Sequence, residues 1–319
     1  MPLKPQNPPS SVSLTDYDSV VWVSTSGDAS ATGLNPAQPT TLANAVSTAP
    51  SGALVLVEPG SYAGALALAT AGLTIAGMQS GFGNNSVVLT GQVQLSAASG
   101  SVTLVALDLT AGLDDTGAAT VVVRGCGDGG TSTTFTRSAT VTGATEVYDC
   151  DFNATDFTIG AQTFRAYGSP TRLKNVNLSA AGQTFFARQI RQCRTITHTG
   201  GSGFIIVRGD SNIRGSAALP AYAVDAPGCT FTPAGCFISD SLGALGAVSC
   251  EDHAFRNTTF DRSQSSLTGV DISSAVVFGL LEYNPATPGD WSLAPDDVTF
   301  VEASNLESSG YIRCKRNRC

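Results

Sequence analysis

Apolar residues in this chain come in short runs, each broken by Gly, Ser, Asn or Asp. Leu73-Thr74-Ile75, Val87-Val88-Leu89, Val102-Thr103-Leu104-Val105, Thr120-Val121-Val122-Val123 and Phe204-Ile205-Ile206-Val207 are examples. Runs of this length, rich in β-branched residues and bounded by turn formers, predict many short strands. Near the start, Val21-Trp22-Val23 reads as a strand leading into a Gly/Ser/Asp turn. Ala53-Leu54-Val55-Leu56-Val57 reads as a buried strand that stops at Glu58-Pro59-Gly60, after which Ser61-Tyr62 turns into the next one. A sustained period of 3.6 is rare. The exception is Thr41 to Thr48, where Leu42, Ala45 and Val46 share one face behind a Thr N-cap and predict a short helix.

Tracking the alternation exposes a degenerate repeat. Leu107-Asp108-Leu109, Asp149-Cys150-Asp151-Phe152, Asn175-Val176-Asn177-Leu178 and Asn257-Thr258-Thr259-Phe260 each alternate polar with apolar or small residues and end on Leu or Phe. Strand side chains alternate in direction, so Cys150, Phe152, Val176, Leu178, Thr258 and Phe260 are expected inside, with Asp149 and Asp151 outside. Spacings of roughly 20 to 30 residues suit stacked coils that bury their faces only against their neighbours. The early helix then makes sense as a lid on the first coil, whose backbone and core would otherwise meet water. A β-sandwich is the competing architecture, because it too is built from many short strands.

The segment from Trp22 to Gly77, WVSTSGDASATGLNPAQPTTLANAVSTAPSGALVLVEPGSYAGALALATAGLTIAG, resembles the N-terminal opening of the pectate-lyase-like right-handed parallel β-helix superfamily. The resemblance covers roughly the first quarter of the chain, and the remainder follows it only by pattern. It implies an all-β, single-stranded right-handed parallel β-helix with a short capping helix. Three parts are expected: an extended Pro-rich arm over 1–18, the β-helix over 19–270, and a closing cap or docking tail over 271–319.

Composition narrows the class of function. The chain has 319 residues, is 42% hydrophobic, and carries a net charge of −8. Such a negative balance disfavours nucleic acid as a partner. No apolar run approaches the roughly 20 residues of a membrane span, and MPLKPQNPPSS lacks the apolar core of a signal peptide. Charged residues make up only 13%, well below the roughly 25% usual in soluble domains, so the surface is expected to be Ser, Thr, Gly and Ala or to be covered by partners. Between Pro5 and Val123 there is no Lys, Arg or His, while Asp16, Asp18, Asp28, Glu58, Asp108, Asp114 and Asp115 are present. Cations resume at Arg124, and the tail holds Arg313, Lys315, Arg316 and Arg318.

Catalytic constellations are sparse. Hydrolysis of a glycosidic bond needs two carboxylates across a cleft. Asp149 and Asp151 are the best candidates, two apart on one strand and expected on one face. Asp156, Asp114-Asp115, Glu251-Asp252 and Asp296-Asp297 are others, and adjacent Asp pairs usually form turns. The Asn-x-Asp, Asp-Asp, Gly-His-Gly and Arg-x-Lys set of polygalacturonase-like enzymes is absent as a set. His198 and His253 sit in no family motif, and Arg188, Arg191 and Arg194 read as a basic patch. Asn84-Asn85-Ser86 reads as a turn. Phosphate-loop, nucleophile-elbow and zinc motifs are missing, so no catalytic residue, cofactor or metal is assigned.

Of eight cysteines, none forms Cys-x-x-Cys. Cys150 reads as a small core residue. Cys314 and Cys319 flank Lys315-Arg316-Asn317-Arg318, where neighbouring cations lower a thiol pKa, and are the candidates for a disulfide or an intersubunit link. The expected function is a non-enzymatic structural protein of a bacteriophage virion: a capsid decoration, collar or spike, assembled in the host cytoplasm on other virion proteins. The resemblance implies a homotrimer. The alternative is a tailspike of the same fold that binds or depolymerises a host surface glycan, and an adhesin is a third reading. Neither nucleic acid nor a membrane is an expected partner.

Overall fold

The computed structural model describes residues 12–78, 85–96, 99–118, 120–138, 143–160 and 163–209, and from 211 onward the backbone of the strands with a few side chains. The chain is an all-β right-handed parallel β-helix, in which the named strands pair in parallel and stack coil on coil. That arrangement excludes the sandwich. Two compact units divide it, Met1–Ala161 and Gln162–Cys319.

In the first unit three faces repeat. The first holds β1 (Val20–Val23), β2 (Leu54–Val57), β5 (Thr74–Gly77), β8 (Ser101–Val105), β11 (Thr120–Arg124) and β13 (Ala144–Tyr148). The second holds β3 (Gly60–Tyr62), β6 (Val87–Leu89) and β9 (Asp108–Leu109). The third holds β4 (Leu66–Leu68), β7 (Val93–Leu95), β10 (Leu113–Asp115), β12 (Thr133–Arg137) and the end of β14 (Asp151–Ile159). Register puts like on like. Val21, Val55, Ile75, Leu104, Val123 and Val147 form one inward column on the first face. Leu66, Val93, Leu113, Phe135 and Phe157 form another on the third. Burying each such aliphatic side chain contributes about 1.5–3 kcal/mol, which is why the columns hold the coils in register.

The helix α1 (Leu42–Thr48) packs against β1, β2 and β4 and buries Leu42, Ala45 and Val46. Thr41 caps it, its hydroxyl accepting from the Asn44 amide at 3.3 Å. Strand β2 is buried at all four positions for a reason the run itself does not reveal. Its outward residues Leu54 and Leu56 join Val20, Trp22, Ala76, Met78, Val105 and Ala106 in an apolar stripe, and Val12, Leu14 and Tyr17 roof it. The Tyr17 hydroxyl donates to Thr74 Oγ1 at 3.2 Å. Residues 12–18 therefore lie against the outer face of the coils.

From β8 onward each of these coils leaves its first face through one residue in the left-handed region. Ala106 (φ 54°), Gly125 (φ 57°) and Asp149 (φ 52°) do this in the first unit, and Gly168 (φ 95°), Gln189 (φ 57°) and Gly209 (φ 52°) in the second. The amides of Ala106 and Gly125 donate to the carbonyls of Arg124 and Tyr148 one coil further on, both at 2.9 Å. A side chain there costs roughly 1–2 kcal/mol, and glycine gives part of that back as unfolded-state entropy. Gln189 is exposed, so Gln189→Gly is expected to raise stability by about 0.5–1 kcal/mol in thermal unfolding. Ala106→Gly gains less, because it also removes a buried methyl.

The second unit continues the pattern. Strands β15 (Thr163–Tyr167), β17 (Gln183–Arg188), β19 (Gly203–Arg208) and part of β21 (Tyr222–Ala234) form one face. Strands β16 (Arg172–Leu178) and β18 (Gln192–His198) turn through the others, with β20 (Asn212–Arg214) joining at Ile213. Phe164 and Phe185 stack inside at 5.7 Å, with Ile205 the next rung. As backbone, β22 (Phe237–Ser239), β23 (Gly246–Asp261), β24 (Val270–Asn284), β25 (Val298–Phe300) and β26 (Ile312–Cys314) extend the parallel ladder.

Candidate functional site

Asp149 and Asp151 do not share a face. Asp149 is the left-handed corner residue and is exposed, while Asp151 is only 7% exposed. The corner resets the alternation on which their pairing rested. Cys150 and Phe152 do point inward, as the alternation requires, and so do Val176 and Leu178.

Asp151 instead joins a buried group of carboxylates. Asp108, Gly127 and Asp151 are bridged in sequence, coil to coil, and Asp128 follows Gly127. Asn85 is buried and donates to Asp108 through its backbone amide (3.2 Å) and its Nδ2 (2.9 Å). Asp128 accepts from Gly130 N at 2.9 Å, Ala154 N at 2.7 Å and Thr155 Oγ1 at 3.0 Å. These bonds tie neighbouring coils together. Burial pushes the Asp108 carboxyl above its ordinary range, and the carboxylates of Asp128 and Asp151 push in the same direction against the Asn85 bonds.

A raised carboxyl pKa means that the folded state holds the proton longer than the unfolded chain. Its contribution to stability is therefore lost as pH rises from the ordinary carboxylate range through the folded pKa. Asp108→Asn removes that loss but keeps only one of the two oxygens that accept from Asn85. The melting temperature of the variant relative to the wild type is therefore expected to be higher near pH 7 than near pH 3. Equal melting at both pH values would contradict the account.

Asp114-Asp115 is not a turn pair. Asp115 ends β10 on an inward rung and forms a fully buried ion pair with Arg137 at the end of β12, Nε to Oδ2 2.7 Å. The guanidinium also donates to Ala144 O at 2.7 Å, Thr145 Oγ1 at 2.9 Å and Ala118 O at 2.6 Å. The second Asp115 oxygen accepts from Gly117 N and Ala118 N. The rungs on either side are Leu95 and Ile159, so a charged pair replaces two steps of an apolar column. Arg137 carried a signal in the sequence: Thr133-Thr134-Phe135-Thr136-Arg137 alternates, which places Arg137 on the same side as Phe135.

In the second unit His198 occupies the rung beside Leu178, is 2% exposed, and has no hydrogen-bond partner at either ring nitrogen. Burial lowers its pKa. The unfolded chain thus takes up a proton first, so this contribution to stability is intact above about pH 6.5 and lost as pH falls. His198→Leu is expected to flatten the fall in melting temperature between about pH 7 and pH 5.

The outward side of β15, β17 and β19 presents register rows of Thr163, Thr184, Phe204; Arg165, Phe186, Ile206; and Tyr167, Arg188, Arg208. Phe204 is 52% exposed, and the Tyr167 and Phe186 rings lie 5.6 Å apart. Arg188 and Arg208 are exposed on adjacent strands, an arrangement of like charges that costs stability in a sheet. Arg191 and Arg194 follow the Gln189 corner, with Arg194 on β18, so the three predicted arginines belong to different faces. Asp156 is half-buried, in register with Thr134. Glu251, Asp252 and His253 lie on β23, while Asp296 and Asp297 fall outside the described residues.

Cys126, Cys150, Cys193 and Cys229 are buried thiols outside any disulfide, and burial pushes Cys126 and Cys193 up to about 12. Cys314 ends β26 in register with Tyr283, and Cys319 lies outside the described residues. Among the described residues no disulfide is found, no group of three or more His, Cys, Asp or Glu is placed to hold a metal ion, and no helix is long and apolar enough to cross a membrane. Comparison with protein-family models, curated proteins and solved structures gives no match.

Proposed function

We propose that this chain is a non-enzymatic structural protein of a bacteriophage virion, a capsid decoration, collar or spike, that mounts a rigid parallel β-helix on the particle as a homotrimer. The observation that carries the reading is where its buried charge goes. Asp115, Arg137, Asp108 and Asp128 bond one coil to the next. The site on the virion rests on the resemblance of the Trp22–Gly77 segment. The tail link through Cys314 and Cys319 belongs to the same proposal. Non-reducing electrophoresis of the mature assembly tests it, and a monomer with both thiols open to alkylation would remove it. The location is tested by mass spectrometry of particles made by the genome that encodes the chain.

A second reading, a glycan-binding or glycan-cleaving tailspike, is favoured by the exposed Phe204 on the same outward face as Arg188 and Arg208. A capsule-degradation halo that disappears with Asp149→Ala would establish it in place of the first.

A further inference from the structure

Two large hydrophobic side chains are exposed among the described residues, Phe204 at 52% and Leu34 at 61%. They occupy surfaces of opposite character. Phe204 is a knob on the flat outer side of β19, beside Ile206 and in line with Arg208 on the same strand. Leu34 lines an open pocket of about 340 Å³ in the first unit, together with Val21, Ala29, Ala31, Ala49 and Pro50, and Ser, Thr and Asn residues make up the rest of its wall. An enclosed apolar cavity of about 150 Å³ is enough to hold benzene, so the volume of this pocket suffices for a phenylalanine ring.

The charges match as well. The turn that brings Ala29 and Ala31 to the pocket starts at the exposed Asp28, whose carboxylate accepts from Ser30 N and Oγ, both at 2.8 Å. These bonds hold Asp28 below the usual carboxylate range, so it is ionised at neutral pH. Asp16 and Asp18 are exposed in the same unit, which has no Lys, Arg or His between Pro5 and Val123. On the other surface Arg188 and Arg208 sit side by side, exposed on adjacent strands. Aromatic and arginine anchors within a polar rim are the composition of binding hot spots.

We propose that the Phe204 face of one copy docks in the Leu34 pocket of a second copy, with Arg188 and Arg208 facing its acidic turn. Knob and pocket are different surfaces, so the contact is heterologous: it closes into a ring when the rotation allows and otherwise runs on as a filament. It names the surfaces behind the self-association proposed above and rests on that reading.

Sedimentation of the full chain and its variants tests this. Wild type is expected to self-associate, more weakly at high salt. Phe204→Ser removes the knob, and Ala29→Arg fills the pocket and adds a cation. Each alone is expected to weaken association at least tenfold while folding normally by circular dichroism. An equimolar mixture retains one intact knob and one intact pocket, and is expected to form a heterodimer and nothing larger. A monomeric wild type, a variant that assembles as the wild type does, or a mixture that fails to pair would each overturn the proposal. If Ala29→Arg assembles normally while Phe204→Ser does not, the contact is face to face and the pocket assignment is wrong. A chain found in purified particles despite such a result leaves the structural reading in place, because only this contact has failed.

Discussion

Arg137→Met is expected to destabilise the first unit by about 3–5 kcal/mol, because it leaves the Asp115 carboxylate charged and buried without its counter-ion. For a unit of this size that is a fall in melting temperature on the order of 6–20 °C. Three further acceptors lose their donors at once: the carbonyls of Ala118 and Ala144 and the hydroxyl of Thr145. The neighbouring rungs suggest the repair. Leu95 and Ile159 bracket the pair in its column, so Asp115→Leu combined with Arg137→Met rebuilds a continuous apolar ladder. The double variant is expected to recover much of the loss, as replacements of buried ion pairs by apolar residues often do. Recovery stays incomplete, because Gly117 N and Ala118 N lose the oxygen that accepts them. A double variant no better than Arg137→Met would show that the pair does more than lock the coils.

Phe157→Ala is expected to cost about 3–5 kcal/mol. Phe157 stands at the meeting point of two contacts, stacked on Phe135 at 5.1 Å and edge-on to Phe152 at 5.5 Å, and all three rings are 1% exposed. Aromatic pairs of these geometries add about 0.5–1.5 kcal/mol to the area they bury, and the alanine leaves a cavity that two large neighbours cannot fill by small shifts. Phe157→Leu retains most of the volume and is expected to fall between alanine and wild type. Phe204→Ala, on the open face, is expected within about 0.5 kcal/mol of wild type. Chemical denaturation of the three variants orders them, and a Phe204 effect as large as that of Phe157 would contradict the burial described here.

Much of the fold is legible in the residues. Thr41 to Thr48 announces its cap and its buried face, and the apolar runs become strands because coils repeat the same inward positions. Alternation places Phe152, Val176 and Leu178 correctly. It does not foresee the burial of Asp151 or its separation from Asp149, because a single left-handed residue at Asp149 turns the chain, and nothing in the local composition marks an aspartate for that role. Asn85 fails in the same way: its partner Asp108 comes from the next coil, a distance along the chain that no local pattern spans. The double burial of Leu54 to Val57 is visible in the run, but its cause is not, since the roof comes from residues 12–17 packed across the outer face. Buried charge is hardest to foresee. An Asp-Asp pair in a polar stretch reads as a solvated turn until Arg137 is seen in register with Asp115.

The central claim is that this β-helix is a mounted structural element, and quantitative mass spectrometry of purified particles tests it most directly. The account predicts the chain at fixed, stoichiometric copy number in virions made by the genome that encodes it. Its absence from those particles, with the chain recovered free and cleaving a polysaccharide, would contradict it.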